Sequence, residues 1–219
     1  MPIPTQYIAD FQENAVYHVY NRTNNNEKLF LSDENRSFFL RRFYKYLSPF
    51  TDLYCWCLLP NHFHFLVRVK SMHCVEEYIV SKQKQNQTIS ERNYLNGLIS
   101  FEELIEFTFK NYFQSYALAF NKMYQRKGNL FYRPFKRVLV RENHFTQALV
   151  YIHANPVKHG LCKNFESYQW SSWNILTSNR PAAILRDEIW DWFGGPDKMI
   201  RDHRNLTKYY YESDISIEK

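Results

Sequence analysis

Leu58-Leu59-Pro60-Asn61-His62-Phe63-His64-Phe65-Leu66-Val67 sets two imidazoles into an apolar run with β-strand character. Alternate side chains of a strand point to one face, so His62 and His64 project together. Two adjacent imidazoles can hold a divalent metal, and they can equally be ordinary polar groups of a strand. Leu53 to Leu58 reads as a preceding strand, with Leu59-Pro60-Asn61 as the connection, so the pair sits on a hairpin. Cys55 and Cys57 share a strand face too. With the histidines they make a rival Cys-x-Cys, His-x-His metal set. Structural zinc generally takes Cys-x-x-Cys knuckles, which favours reading these cysteines as small apolar strand residues.

Working outward, Ala15 to Arg22 alternates as a further strand. Ser32 can cap a helix that runs to about Leu47 and is closed by Pro49. Ser71 to Ser90 reads as a polar helix, broken at Asn93 to Gly97. Ser100 and Glu103, at capping-box spacing, start a helix reaching about Tyr124. Phe131 to Val140 ends in a fourth strand, and Glu142 to Asn155 forms a helix that Pro156 should end. Gly194-Gly195-Pro196 separates two helices of the tail. This order predicts an α+β fold, an antiparallel sheet with helices packed on it. One domain is expected over residues 1–175, with a polar helical insertion at about 71–116, followed by a helical tail over 176–219.

Of the 219 residues, 45% are apolar, enough for one sizeable core. No run approaches the ~20 apolar residues of a membrane helix, and Met1-Pro2-Ile3-Pro4 does not open a secretory signal. The four cysteines form no evident disulfide framework, which fits a reduced cytoplasm. The net charge of +6 attracts phosphate, and rings making up 18% of the chain include candidates for stacking on unpaired bases, although most belong in a core.

On the helix from Glu142, the residues Gln147, Tyr151 and Asn155 are four apart and share a face. A tyrosine can act as a nucleophile, but its ordinary pKa of ~10 keeps it protonated unless a cation or base assists. With 17 tyrosines in the chain, spacing alone does not single out Tyr151 from an interface residue. His153 points away from that face and has no assigned role.

Several stretches together resemble the single-tyrosine HUH transposases, specifically the REP-associated tyrosine transposases. They are Tyr17-His18-Val19-Tyr20-Asn21-Arg22, Leu59-Pro60-Asn61-His62-Phe63-His64, the segment Gly128 to Lys136, Tyr151-Ile152-His153-Ala154-Asn155-Pro156-Val157-Lys158-His159-Gly160, and Tyr168-Gln169-Trp170-Ser171-Ser172. The likeness spans about residues 15–173. It implies an HUH endonuclease with a ferredoxin-like or RRM-like core that cleaves and rejoins single-stranded DNA. In that reading His62 and His64 bind a divalent metal, Mg²⁺ or Mn²⁺, and Tyr151 is the nucleophile that forms a 5′-phosphotyrosine. Asn155 completes the metal site where some relatives carry Gln; its other reading is a helix cap before Pro156. The implied partner is single-stranded or hairpin DNA, held by Arg22, Arg133, Lys136, Arg137 and Lys158. Homodimer and monomer both stay open. Two alternatives accompany this reading: a replication-initiator or relaxase-type HUH nickase, and a hairpin-binding protein without catalysis.

Overall fold

Alternation along one central strand divides the molecule into two helical layers around a sheet. The computed structural model describes residues 7–178 and 180–212. Its strands are β1 (Val16–Arg22), β2 (Thr51–Leu58), β3 (His62–Val69) and β4 (Lys136–Val140). Its helices are α1 (Asp33–Tyr46), α2 (Met72–Ser81), α3 (Ile89–Leu95), α4 (Phe101–Met123), α5 (Phe145–Lys158), α6 (Trp173–Leu176), α7 (Arg186–Phe193) and α8 (Pro196–Glu212). The sheet order is β2-β3-β1-β4, and each neighbouring pair is antiparallel. This interleaves β1-α1-β2 with β3-α4-β4, the split β-α-β arrangement of ferredoxin-like folds. The fold is α+β, as the sequence predicts.

One face of the sheet is almost wholly aromatic and aliphatic. Phe39 of α1 lies 5.0 Å from Phe63 and 5.9 Å from Phe65, centroid to centroid, and Phe43 lies 4.7 Å from Phe65. Tyr112 and Tyr116 of α4 close over Phe39, and their hydroxyls donate to the carbonyls of Phe39 and Leu29. Both helices start on capping boxes, Ser32 with Asn35 and Ser100 with Glu103.

Three segments differ from expectation. The stretch from Ser71 to Ser90 is not one helix: α2 stops at Ser81, and Thr88 with Glu91 caps a separate α3. Between them, Lys82 to Gln87 contains no apolar residue to bury, so nothing holds a helix there against the core. Within 71–116 the first part of α4 is core, with Leu104, Ile105, Phe109, Tyr112, Phe113 and Tyr116 buried. Finally, α5 does not end at Asn155 but continues through Pro156 to Lys158. Pro156 sits in the last turn, where its missing N–H removes a single ladder bond, and the turn is closed by the His159 N–H donating to Asn155 O at 2.9 Å.

The outer edge of β2 is covered by the chain after α5: the Leu58 N–H donates to Trp170 O at 2.8 Å and the Ser172 N–H to Trp56 O at 2.9 Å. The tail is docked on the same body. Glu188 of α7 accepts from Arg68 at 2.9 and 3.0 Å and from the Tyr54 hydroxyl at 2.5 Å. The two tail helices part at Gly194, whose φ of 76° is the left-handed conformation that ends α7. α8 packs along α5 with Met199 and His203 buried. Among the described residues no helix is long and apolar enough to cross a membrane.

Candidate active site

The second face of the sheet carries polar groups, and α5 lies over it. The register sets Tyr20 opposite His64 and Arg22 opposite His62, while Cys57 and Lys136 face His64 and Tyr20 from the flanking strands. By alternation His18 falls on this same face. A strand pair built for two covered faces therefore has one apolar face and one lined with imidazoles.

The histidines are held in defined orientations. The His62 Nδ1–H donates to Asn61 Oδ1 at 2.7 Å, which leaves Nε2 as an acceptor. That Nε2 is buried and has no hydrogen-bond partner among the described residues. His64 Nδ1 lies 2.9 Å from His18 Nε2. Burial pushes His18 and His62 down to about 3 and His64 well below its ordinary value, with neighbouring imidazoles adding to the effect on His62 and His64. All three rings are therefore neutral near pH 7, the state in which a ring nitrogen offers a lone pair.

α5 brings its own stripe to these rings. Tyr151 is 2% exposed, and its ring stands edge-on to His18 at 6.1 Å and His64 at 6.3 Å between centroids. His159, two turns further along the helix, approaches His62 at 4.7 Å. Asn155 lies between these two contacts in the helical register. Its Nδ2 donates to Tyr151 O at 2.9 Å, while its buried Oδ1 has no hydrogen-bond partner among the described residues. The Lys158 ammonium sits 5.4 Å from the Tyr151 ring centroid. Tyr151 thus meets His18 and His64 of its own chain.

Among the described residues, no three of His, Cys, Asp and Glu converge on a point that could hold a metal ion. The groups around this face that carry ligand atoms are the imidazoles of His62 and His64 and the amide oxygen of Asn155. Two of them, His62 Nε2 and Asn155 Oδ1, are buried acceptors with no donor among the described residues. Cys55 and Cys57 are buried, and desolvation raises both thiols well above their ordinary range, which keeps them protonated.

The five basic residues separate. Arg22 is exposed at the end of β1 beside His62, with its guanidinium 5.4 Å from the Tyr132 ring. Lys136 lies 5.5 Å from the Tyr20 ring, itself stacked on His18 at 4.7 Å. Lys158 is on Tyr151. Arg133 is exposed in the loop before β4, on a cleft facing α4. Arg137 does not belong with them. It is 3% exposed on the opposite face, donating to Ala9 O at 2.6 Å and to Glu106 at 3.0 Å. Neighbouring residues of a strand point to opposite faces, so Lys136 and Arg137 cannot both reach one ligand. Arg137→Ala removes the hydrogen bonds to Ala9 O and to Glu106, which keeps Lys110 as an ion-pair partner, and should lower stability by about 2 kcal/mol. A thermal melt checks this; an unchanged Tm would contradict it.

The sequence alone gives His18 no role. Its signal was the alternation Tyr17-His18-Val19-Tyr20, which sets His18 and Tyr20 on one face once β1 is known to pair with β3.

No protein-family model matches the chain, and no curated protein matches it. Among solved structures, one described as the REP-associated tyrosine transposase bound to a REP hairpin is similar, with a TM-score of 0.48 and 14% identity. The similarity covers 79% of this chain and 86% of that one.

Proposed function

We propose that the protein is a metal-assisted single-stranded DNA transesterase of the HUH type, with Tyr151 as nucleophile, acting on hairpin DNA. The observation that carries this reading is the approach of the Tyr151 ring to His64 and His18 on a face that also holds His62. Two sequence segments far apart in the chain, each resembling the same family, converge there. His62, His64 and Asn155 would hold Mg²⁺ or Mn²⁺, and imidazole donors favour Mn²⁺. When bound, the cation would polarise the scissile phosphate. The Tyr151 oxygen would attack phosphorus, the bond from phosphorus to the 3′ oxygen would break, and that oxygen would leave as a 3′-hydroxyl carrying the proton. The resulting 5′-phosphotyrosine conserves the phosphodiester energy, so a second 3′-hydroxyl can reverse the step and join strands. Arg22, Lys136 and Lys158 border the site and would bind DNA phosphates, with Arg133 further out along the strand. The test is incubation with hairpin oligonucleotides bearing single-stranded flanks, with Mn²⁺ or Mg²⁺, scored by the covalent adduct on a denaturing gel.

His18 has a defined part in this reading. With Nε2 of His64 turned to the cation, His64 Nδ1–H donates to His18 Nε2 and fixes the ligand ring. His18→Phe keeps a ring in place but removes that acceptor. It is expected to weaken Mn²⁺ binding about 10- to 100-fold, measured by calorimetry; unchanged affinity would remove His18 from the site.

A second reading, hairpin binding without cleavage, is favoured by one observation: Tyr151 is 2% exposed, so in this form its hydroxyl is covered. Hairpin binding with no adduct in either metal would support it.

A further inference from the structure

Behind Tyr151, on the other side of α5, a buried chain of hydrogen bonds runs through three elements. His153 follows Tyr151 by two residues, which turns it about 200° around the helix. The Trp56 N–H donates to Ser172 Oγ at 3.0 Å, and Ser172 Oγ lies 2.8 Å from His153 Nε2. His153 Nδ1 lies 3.1 Å from His203 Nε2, and His203 Nδ1 lies 2.8 Å from Met199 O. Ser172, His153 and His203 are each 0% exposed.

Only one arrangement of protons satisfies this chain with neutral rings. The Met199 carbonyl can only accept, so His203 carries its proton on Nδ1 and accepts at Nε2. His153 must then donate from Nδ1 and accept at Nε2, and the Ser172 hydroxyl donates to it. Each group makes its bonds and none is left over. Aromatic rings surround it: Trp173 lies 4.8 Å, Phe193 5.4 Å and Phe165 5.9 Å from the His203 ring. Burial pushes His203 down to about 4 and His153 well below its ordinary value, consistent with neutral rings.

Apolar packing between α5, α8 and the sheet holds them together but is non-directional. The chain adds direction, because it joins β2 and the segment covering its edge to α5, and α5 to α8, at one rotational setting. We infer that His153 and His203 are positioning residues, which lock α5 about its own axis and so aim Tyr151 at His18 and His64. The consequence for catalysis rests on the function proposed above; the orientation itself does not.

The experiment uses the full chain labelled with ¹⁵N-histidine. His203→Leu fills the space but removes the acceptor, whereas His203→Gln can keep an acceptor near the Nε2 position. The ring signals of His18 and His64, across α5, should shift in His203→Leu and stay near wild type in His203→Gln. At a temperature where circular dichroism reports both variants folded, His203→Leu should lower the adduct-forming rate about 10- to 100-fold. Hairpin affinity should not change, and His203→Gln should recover most of the rate. Should His203→Leu not fold, Ser172→Ala cuts the chain at its other end and should give the same shifts. Unmoved His18 and His64 signals in a folded variant with a cut chain would overturn the inference. A wild-type protein that forms no adduct would instead refute the proposed reaction, and the histidine spectra would still decide the positioning role.

Discussion

Tyr151→Phe is expected to abolish the covalent DNA adduct, a fall of at least about 10⁴-fold, the scale on which losing a nucleophile acts. The expectation is specific because the substitution removes one oxygen and little else. A phenylalanine ring keeps the edge-on approach to His18 and His64 and the contact with the Lys158 ammonium. Removing a single buried hydroxyl costs about 1 kcal/mol, well within the stability of a domain. Hairpin binding should therefore persist while chemistry stops. Retained adduct formation would move the nucleophile elsewhere, with Tyr20 the first to test because it stacks on His18 and His64.

The second large effect is expected from His62→Ala combined with His64→Ala. Together they remove both imidazole donors from the candidate metal site. A cation that binds the folded protein alone stabilises it by about 2.7 kcal/mol at a concentration of 100 Kd. Wild type should gain this in Mn²⁺, read as a rise in Tm, and the double variant should gain nothing. Its adduct formation should vanish and not return at high Mn²⁺. His64→Ala also opens a cavity beside His18, so the double variant should melt lower before any metal is added. His62→Ala alone is milder in this respect, because His62 is only partly buried at the strand end. Activity that survives chelation in wild type would contradict the metal role outright.

Much of the fold was legible because its signals are local. The bounds of β3 follow from alternation, the start of α1 from Ser32 as a cap, and the start of α4 from Ser100 with Glu103 three residues on. The helix presenting Tyr151 and Asn155 on one face was legible from spacing of four. Errors arose where tertiary packing overrode a local rule. Pro156 normally stops a helix, but α5 is clamped between the sheet and α8, so a single missing bond in its last turn does not end it. The polar run after α2 forms no α-helix, only a 3-10 turn at Lys84–Asn86, because nothing there is buried. Arg137 was grouped with Lys136 by charge, yet β4 alternation separates them, and Arg137 joins Glu106 beneath the sheet. Alternation sets His18 on the face of Tyr20 but does not give its partner, and nothing local marks His203. Their roles exist only as contacts with residues 46 and 50 positions away, His64 and His153, which no local periodicity reports.

The most direct test of the account is mass spectrometry of the protein after incubation with hairpin DNA and Mn²⁺, followed by nuclease and trypsin digestion. Cleavage after Arg141 and Lys158 releases the peptide Glu142–Lys158, whose only tyrosine is Tyr151. The account predicts a nucleotide attached through a 5′-phosphate to that tyrosine, and a free 3′-hydroxyl on the released strand. Attachment to any other residue, or an unmodified Tyr151 in a reaction that has cleaved the hairpin, would contradict it.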